Sequence, residues 1–217
     1  GRRRDTKRKG CCIGMEEFRK KLYASFDFAL IPIADFLIRF GLTPNRLSVI
    51  GLLLNFLAAY SILLGGLFLG GVIYLLAGLV DLFDGTVARR GGLGTEFGAF
   101  LDSNFDRIAE GVIFAAIAYL FAASGNAVTA AVAVLALLGS FMVSYTRARA
   151  EALGLVGKSG FASRFERLLL ISIALMAGFL EMAIYVLAVF TLVTVAQRMW
   201  STYWQLEEKK AGIVPPL

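Results

Sequence analysis

The chain has 217 residues, of which 58% are hydrophobic and 18% charged, and its formal net charge is +6. A mean hydropathy of +0.73 excludes an ordinary water-soluble domain. Only α-helices and closed barrels satisfy their backbone groups inside a bilayer, and the alternation typical of barrel strands is absent. We therefore expect an all-α, polytopic membrane protein, with membrane lipid as a partner and no nucleic acid.

The first 14 residues have the composition of a basic linker. We expect them to be either an added extension or the tail of a soluble domain fused on the N-terminal side. The adjacent Cys11 and Cys12 predict neither a zinc site nor a disulfide framework. Acylation of these thiols near the membrane is the alternative interpretation.

Residues 15–43 form a juxtamembrane segment of mixed character. Phe18, Leu22 and Phe26 recur every four residues among charged positions. This pattern is typical of an amphipathic helix in the headgroup layer. A helix packed on the soluble side is the other interpretation.

Six spans are predicted in a transmembrane domain of residues 44–205, ahead of a cytoplasmic tail at residues 206–217. Thr43 as N-cap and Pro44 at the first helical position predict where the first helix begins. Crossing a bilayer core of ~30 Å takes about 20 apolar residues. The predicted spans are Pro44–Leu64, Leu67–Arg89, Glu96–Ala123, Ala127–Gly154, Ser163–Leu180 and Met182–Trp204.

Lysine and arginine are unevenly distributed along the chain. Eleven of the 22 lie in residues 1–46, and most of the others lie in or beside the connections at residues 90–95 and 155–162. The other connections between predicted spans contain none. By the positive-inside rule, both termini and the two basic connections face the cytoplasm.

An acidic cluster lies within the second and third predicted spans. Asp81 and Asp84, three residues apart, share one helical face, and Asp102 and Asp106, four apart, share another. The turn between these spans makes the helices antiparallel. At ~1.5 Å per residue, all four carboxylates lie roughly 8 to 15 Å below the cytoplasmic surface. The two pairs can therefore meet.

Ionised carboxylates at this depth are costly, at about 2.5–3.5 kcal/mol for one aspartate at mid-membrane. One alternative explanation of the cluster is that each aspartate pairs with an arginine, but Arg89 and Arg107 are too few to neutralise four acids. A hydrated cavity is another alternative. Bound divalent cations explain the cluster directly, because hard cations prefer carboxylate oxygens. Two such ions can clamp the oxygens of a phosphoryl displacement. With no histidine in the chain, a general base must be a carboxylate, cysteine, lysine or tyrosine.

The pattern Asp81-x2-Asp84-Gly85-x2-Ala88-Arg89-x8-Gly98-x3-Asp102-x3-Asp106 resembles the complete motif of the CDP-alcohol phosphotransferase family. The six-span plan resembles the same family over residues 15–203. Such enzymes displace CMP from a CDP-linked lipid with an acceptor alcohol. The resemblance implies two Mg²⁺ ions, with Mn²⁺ as a substitute, held by Asp81, Asp84, Asp102 and Asp106. It also implies that Asp106 is the general base that deprotonates the acceptor hydroxyl.

A binding site for the CDP-linked lipid, either CDP-diacylglycerol or CDP-archaeol, follows from the same resemblance. Small residues beside the acids remove side-chain bulk where a ligand approaches, although helix packing alone would also explain them. The residues predicted at this site are Pro44, Asn45, Ser48, Gly85, Ala88, Arg89, Thr95 and Gly98.

Arginines at the ends of the last three predicted spans indicate the acceptor. Convergent guanidinium groups bind a phosphate dianion, so they favour a phosphorylated acceptor, although the positive-inside distribution alone also places arginines here. These stretches resemble phosphatidylinositol phosphate and archaetidylinositol phosphate synthases. By that likeness, Arg147, Arg164 and Arg198 hold the acceptor phosphate, and Glu166 and Arg167 orient the loop. Those enzymes typically carry Glu-Arg-Pro-Glu-Arg, where this chain has Ser-Arg-Phe-Glu-Arg at residues 163–167.

The predicted function is therefore metal-dependent transfer of a phosphatidyl-type or archaetidyl group to inositol phosphate, with release of CMP. Glycerol 3-phosphate is the competing acceptor. A divalent-cation transporter and a non-catalytic lipid-binding scaffold are the rival functions. A transporter needs polar residues that continue outward, where only Glu181 remains. A homodimer is expected from the resemblance alone.

Overall fold

The computed structural model describes residues 32–33, 35–155 and 163–210. These residues are almost entirely helical and include no strand, which confirms the all-α prediction. Residues 35–39 form a short helical segment, and most of the predicted juxtamembrane helix lies outside the described residues. The long helices are α1 (Pro44–Leu63), α2 (Leu67–Gly91), α3 (Glu96–Ala123), α4 (Ala127–Ala152), α5 (Arg164–Ala177) and α6 (Leu180–Lys210).

Local sequence signals mark several of the helix ends. Pro44 is the first residue of α1, with Thr43 in extended conformation before it. The Thr95 hydroxyl accepts a hydrogen bond from the Gly98 N–H at 2.9 Å, which caps α3. Asn126 caps α4 in the same way through the Thr129 N–H. The α5 helix ends at Ala177, just before Gly178, whose φ of 80° suits glycine.

The helices pack into one bundle with an apolar interior. The closely packed pairs are α1 with α2 and α3, α2 with α5, α3 with α4, and α6 with α4 and α5. Small residues allow two of these helices to approach closely. A Cβ added at Gly71 of α2 would lie 2.9 Å from the Ser172 carbonyl oxygen of α5. Ile113, Ile117, Ile171 and Ile184 lie fully buried at the centre of the bundle.

The outside of the bundle is apolar, as expected for a protein surrounded by lipid. Large exposed hydrophobic side chains lie on most helices, for example Leu53, Phe68, Val128 and Phe190. Of the helices in the described residues, α1, α2, α4 and α6 are long and apolar enough to cross a membrane. The chain is therefore a polytopic helical membrane protein.

The six-span count stays a prediction, because α3 and α5 do not meet the same criteria of length and composition. The α5 helix has 14 residues, which span about 21 Å at 1.5 Å per residue. The α3 helix carries several charged residues within its length. The α6 helix, in contrast, continues past the predicted end at Trp204 to Lys210.

Candidate active site

Three aspartates from two antiparallel helices converge at one end of the bundle. Asp81 lies on α2, and Asp102 and Asp106 lie on α3. Each offers a carboxylate oxygen, and these oxygens all lie within 4.8 Å of one another. Such a group of hard oxygen donors fits Mg²⁺ or Mn²⁺.

The fourth predicted aspartate, Asp84, lies beside this group and has a different partner. Its side chain is buried, and its Oδ2 accepts a hydrogen bond from the Ser48 hydroxyl of α1 at 2.7 Å. Asp84 and Asp102 line the same cavity. Asp84 is therefore held next to the cluster by α1, but it is not one of the three mutually close carboxylates.

A cation of the chain itself contacts the aspartate cluster. Arg164, the first residue of α5, donates to Asp81 Oδ2 through Nη1. The same Nη1 lies 2.7 Å from Asp106 Oδ1. Arg107 is more distant, with 3.9 Å between its Nη1 and Asp106 Oδ2. Arg164 is therefore a third arginine near the acids. From the sequence, only Arg89 and Arg107 were considered as partners for the four aspartates.

A small cavity of about 170 Å³ opens on one side of the cluster. Seven of the eight residues predicted for the CDP-lipid site line it, and they come from α1, α2, α3 and the turn between α2 and α3. They are Pro44, Asn45, Ser48, Gly85, Ala88, Thr95 and Gly98. Asp84, Asp102, Ala99 and the turn residues Leu93 and Gly94 complete the lining.

Arg89 is the exception among the residues predicted for the CDP-lipid site. It does not line the small cavity, and its Nη2 donates to the Thr86 hydroxyl at 3.3 Å. Its Nη1 would lie 3.4 Å from a Cβ added at Gly85. The side chain therefore runs back along α2 beside a glycine of the cavity wall.

A second, larger and more polar cavity of about 390 Å³ also borders the cluster. Asp106 borders it together with five arginines, which include the three that were predicted to bind the acceptor phosphate. These arginines are Arg107, Arg147, Arg164, Arg167 and Arg198. The acids Glu110 and Glu151 and three serines also line it.

The arginines of the large cavity are held in different ways. Arg147 Nε lies 2.9 Å from Glu151 Oε1, one turn further along α4. Arg198 of α6 donates to the Val143 carbonyl oxygen of α4. Arg167 is buried and pairs with Glu110 of α3. Sequence reasoning assigned Glu110 no role, although it follows Asp106 by one helical turn.

Known proteins are similar to this chain in both sequence and fold. Residues 41–200 match the family model described as CDP-alcohol phosphatidyltransferase. The chain is 38% identical to the archaetidylinositol phosphate synthase of Pyrococcus horikoshii over 168 residues, which are 77% of this chain and 87% of that protein. It is 40% identical to the phosphatidylinositol phosphate synthase of Mycobacteroides abscessus over an alignment of 177 residues, which covers 77% of this chain and 80% of that protein.

The fold is similar to that of the phosphatidylinositol phosphate synthase of Mycobacterium tuberculosis. The crystal structure of that enzyme with CDP-DAG bound superposes with a TM-score of 0.73 at 32% identity, over 80% of this chain and 93% of that one. A crystal structure of the same enzyme in complex with manganese and citrate also gives a TM-score of 0.73. From these matches in sequence and fold, the chain is a transferase and belongs to the CDP-alcohol phosphatidyltransferase family.

Proposed function

We propose that this enzyme transfers a phosphatidyl-type or archaetidyl group from a CDP-linked lipid to the hydroxyl of inositol phosphate and releases CMP. The observation that carries the proposal is that two unlike cavities border one aspartate cluster, the small one at Asp102 and the large one at Asp106. The small cavity is lined by glycine, alanine and short polar side chains, whereas the large one is lined by arginines. Donor and acceptor can thus each reach the cluster, through Asp102 and through Asp106 respectively.

The small cavity suits the nucleotide end of the donor. Gly85 and Gly98 leave room for a ligand beside the aspartates, and Asn45 and Thr95 add polar groups next to Gly98. Lipid chains need apolar surroundings, which the exposed outer faces of the helices provide. The donor would lie with its pyrophosphate toward Asp84 and Asp102.

The four aspartates are the proposed ligands of two divalent cations. Asp81, Asp102 and Asp106 supply the mutually close oxygens, and Asp84 borders the same site from the small cavity. When bound, such cations neutralise the charge of a pyrophosphate and of the departing CMP. That the donor set consists of carboxylates alone agrees with hard cations such as Mg²⁺ or Mn²⁺.

Asp106 is the proposed general base, because it belongs to the cluster and also borders the large cavity. Its carboxylate takes the proton of the acceptor hydroxyl as that oxygen attacks the phosphorus that carries the lipid. The new phosphorus–oxygen bond forms on the acceptor, and the bond to the CMP oxygen breaks. The proton then passes from Asp106 to solvent.

Arg147, Arg164 and Arg198 are the proposed ligands of the acceptor phosphate. They come from α4, α5 and α6 and line one cavity. Planar guanidinium groups bind a phosphate dianion through paired, charge-assisted hydrogen bonds. The named relatives make phosphorylated inositol lipids, which favours inositol phosphate over glycerol 3-phosphate as the acceptor.

Release of CMP by the purified enzyme in lipid nanodiscs tests this proposal. CDP-diacylglycerol and CDP-archaeol are each combined with radiolabelled inositol phosphate, glycerol 3-phosphate or unphosphorylated inositol. We expect turnover with inositol phosphate, none with inositol, a complete loss in EDTA and recovery with Mg²⁺ or Mn²⁺. Equal turnover of inositol, or activity that EDTA leaves unchanged, would contradict the proposal. A preference for glycerol 3-phosphate would overturn the acceptor assignment alone.

A further inference from the structure

A second pair of charged residues lies one helical turn beyond the aspartate cluster. Glu110 follows Asp106 by four residues on α3, and Arg167 follows Arg164 by three residues on α5, so each shares a helical face with its neighbour. Arg167 donates to both carboxylate oxygens of Glu110, from Nε at 2.8 Å and from Nη2 at 3.1 Å. The side chains of Arg167 and Glu110 are only 2% and 6% exposed. The contact is a two-point ion pair that is shielded from water.

Two ion pairs therefore connect α3 to α5 along the wall of the large cavity. The first joins Asp106 to Arg164, which are the proposed base and a proposed phosphate ligand. The second joins Glu110 to Arg167. In the part of the chain that the structure describes, α3 and α5 are not one of the closely packed helix pairs. The two ion pairs are therefore direct polar links between helices that otherwise pack mainly against other members of the bundle.

Stability alone does not explain a buried ion pair at this place. Removing two charges from water costs about as much as their attraction returns, and an apolar pair of similar volume often stabilises a protein equally well or better. The α5 helix already buries Leu168, Ile171 and Leu175 in the apolar core. What the paired guanidinium and carboxylate add is a fixed distance and direction, because both hydrogen bonds constrain the planar groups.

We propose that Glu110 and Arg167 are positioning residues that hold Asp106 and Arg164 in place for the phosphorylated acceptor. The inference rests on the function proposed above. Arg167 is 2% exposed and bonded at two points to Glu110, whereas Arg147 is 54% exposed, so binding of the phosphate is left to the more accessible arginines. Loss of the pair lets α5 shift relative to α3, and a displacement of about 1 Å can lower a rate by roughly 100-fold.

The double variant E110M/R167M tests the inference, because it removes both charges together and leaves neither partner buried alone. Four quantities are measured in nanodiscs: the thermal unfolding midpoint, KM for the CDP-lipid, the affinity for inositol phosphate without the CDP-lipid, and kcat/KM for inositol phosphate. We expect the first two to stay close to the parent values. We expect the affinity to weaken and kcat/KM to fall by about tenfold or more.

The variant E181Q is the matched control, since Glu181 also joins two helices, α4 and α6, through hydrogen bonds to Asn126 and Thr129. It lies at the opposite end of the bundle, and its acceptor parameters should equal those of the parent. If E110M/R167M does not fold, R167K is measured in the same assays. Lysine keeps the positive charge but cannot form the two-point contact with Glu110. We expect a weaker affinity for inositol phosphate and an unchanged KM for the CDP-lipid.

Two results would overturn the positioning role. One is a folded variant that binds and uses inositol phosphate like the parent. The other is a parallel loss of the unfolding midpoint and of both substrates, which shows a purely structural contact. Failure of the proposed function is a separate result, because the parent protein itself would then bind no inositol phosphate.

Discussion

Asp106 contacts both halves of the site, since its carboxylate belongs to the aspartate cluster and also borders the large cavity. Asparagine has the same shape but cannot take up a proton as a carboxylate does. We expect Asp106→Asn to lower kcat by about 10²- to 10⁴-fold, the usual contribution of a general base. Release of radiolabelled CMP measures the rate. The affinity for CDP-lipid should change much less.

Glu207→Gln is the control for this substitution. Glu207 forms a surface ion pair with Lys210 near the end of α6, far along the chain from the cluster. Its removal should leave turnover at the parent level. The affinity for Mn²⁺, measured on the same samples, separates loss of the base from loss of a metal ligand. Full turnover by Asp106→Asn would show that another group accepts the proton.

Gly98 is a second residue whose role can be isolated. A Cβ at this position would lie 2.9 Å from both Asn45 Oδ1 and Thr95 Oγ1, which belong to side chains of the small cavity. Overpacking of this kind costs about 1–3 kcal/mol. We therefore expect Gly98→Ala to raise KM for the CDP-lipid by roughly five- to 150-fold. Initial rates at saturating acceptor measure this change.

Gly111→Ala is the matched control on the same helix. Its added Cβ would lie 3.7 Å from Phe141 Cζ, an ordinary van der Waals contact. Replacing glycine by alanine stabilises a helix by about 1 kcal/mol at either position. A difference in KM between the two variants therefore reports on the cavity and not on the stability of α3. If the two variants have the same KM for the CDP-lipid, the small cavity does not bind the donor.

Distance along the chain explains which contacts sequence reasoning could predict. The four aspartates lie within 26 residues of one another, and helical spacing was enough to predict that three of them come together. The fourth, Asp84, instead bonds to Ser48 of α1, a contact that the spacing does not indicate.

Arg164 is 83 residues from Asp81, and Glu110 is 57 residues from Arg167. No local pattern measures such separations. The position of Glu110 one turn after Asp106 indicates that it lies near the site. Its partner, however, can be identified only from the folded structure.

At the level of helices, the crossing of α2 and α5 depends on Gly71. A Cβ there would lie 2.9 Å from the Ser172 carbonyl oxygen and 3.0 Å from Leu175 Cβ, and a carbonyl in a helix cannot move aside cheaply. We expect Gly71→Ala to destabilise the bundle by about 1–3 kcal/mol. Thermal unfolding in detergent, followed by circular dichroism, should show a lower midpoint.

Gly51→Ala provides the comparison for this prediction. Gly51 lies on α1 against α2, where its Cβ would lie 3.7 Å from the Ala77 carbonyl oxygen and from Val80 Cγ1. The same substitution therefore fits at one helix crossing and not at the other. A midpoint that is equally unchanged in both variants would show that α5 can move away from α2 without cost.

The ends of the helices were predictable where a cap or a proline marks them. The α1 helix begins at Pro44 and α3 at Glu96, as the sequence indicates. The α5 helix ends earlier than predicted because Gly178 adopts a left-handed conformation within an apolar stretch, where hydropathy shows no boundary. The α6 helix continues beyond Trp204 because residues 205–210 are good helix formers, although they are too polar to count toward a span.

Across the whole molecule, charged side chains are concentrated at one end of the bundle. The aspartate cluster and the arginines of the large cavity lie at this end, together with the connection between α2 and α3. At the other end, Glu181 is bonded to Asn126 and Thr129, beside connections without lysine or arginine. The positive-inside rule places the end that is rich in lysine and arginine on the cytoplasmic side. It therefore predicts that both cavities open toward the cytoplasm.

Labelling of single cysteines in intact bacterial cells tests this orientation. In a background with Cys11 and Cys12 replaced by serine, Ser124→Cys lies in the uncharged connection after α3, and Glu208→Cys lies near the end of α6; both positions are exposed. A membrane-impermeant maleimide should label Ser124→Cys in intact cells and Glu208→Cys only after permeabilisation. The reverse pattern would place the large cavity outside the cell and contradict the orientation. If both positions are labelled in intact cells, they lie on the same side, and α4, α5 and α6 together cross the membrane an even number of times.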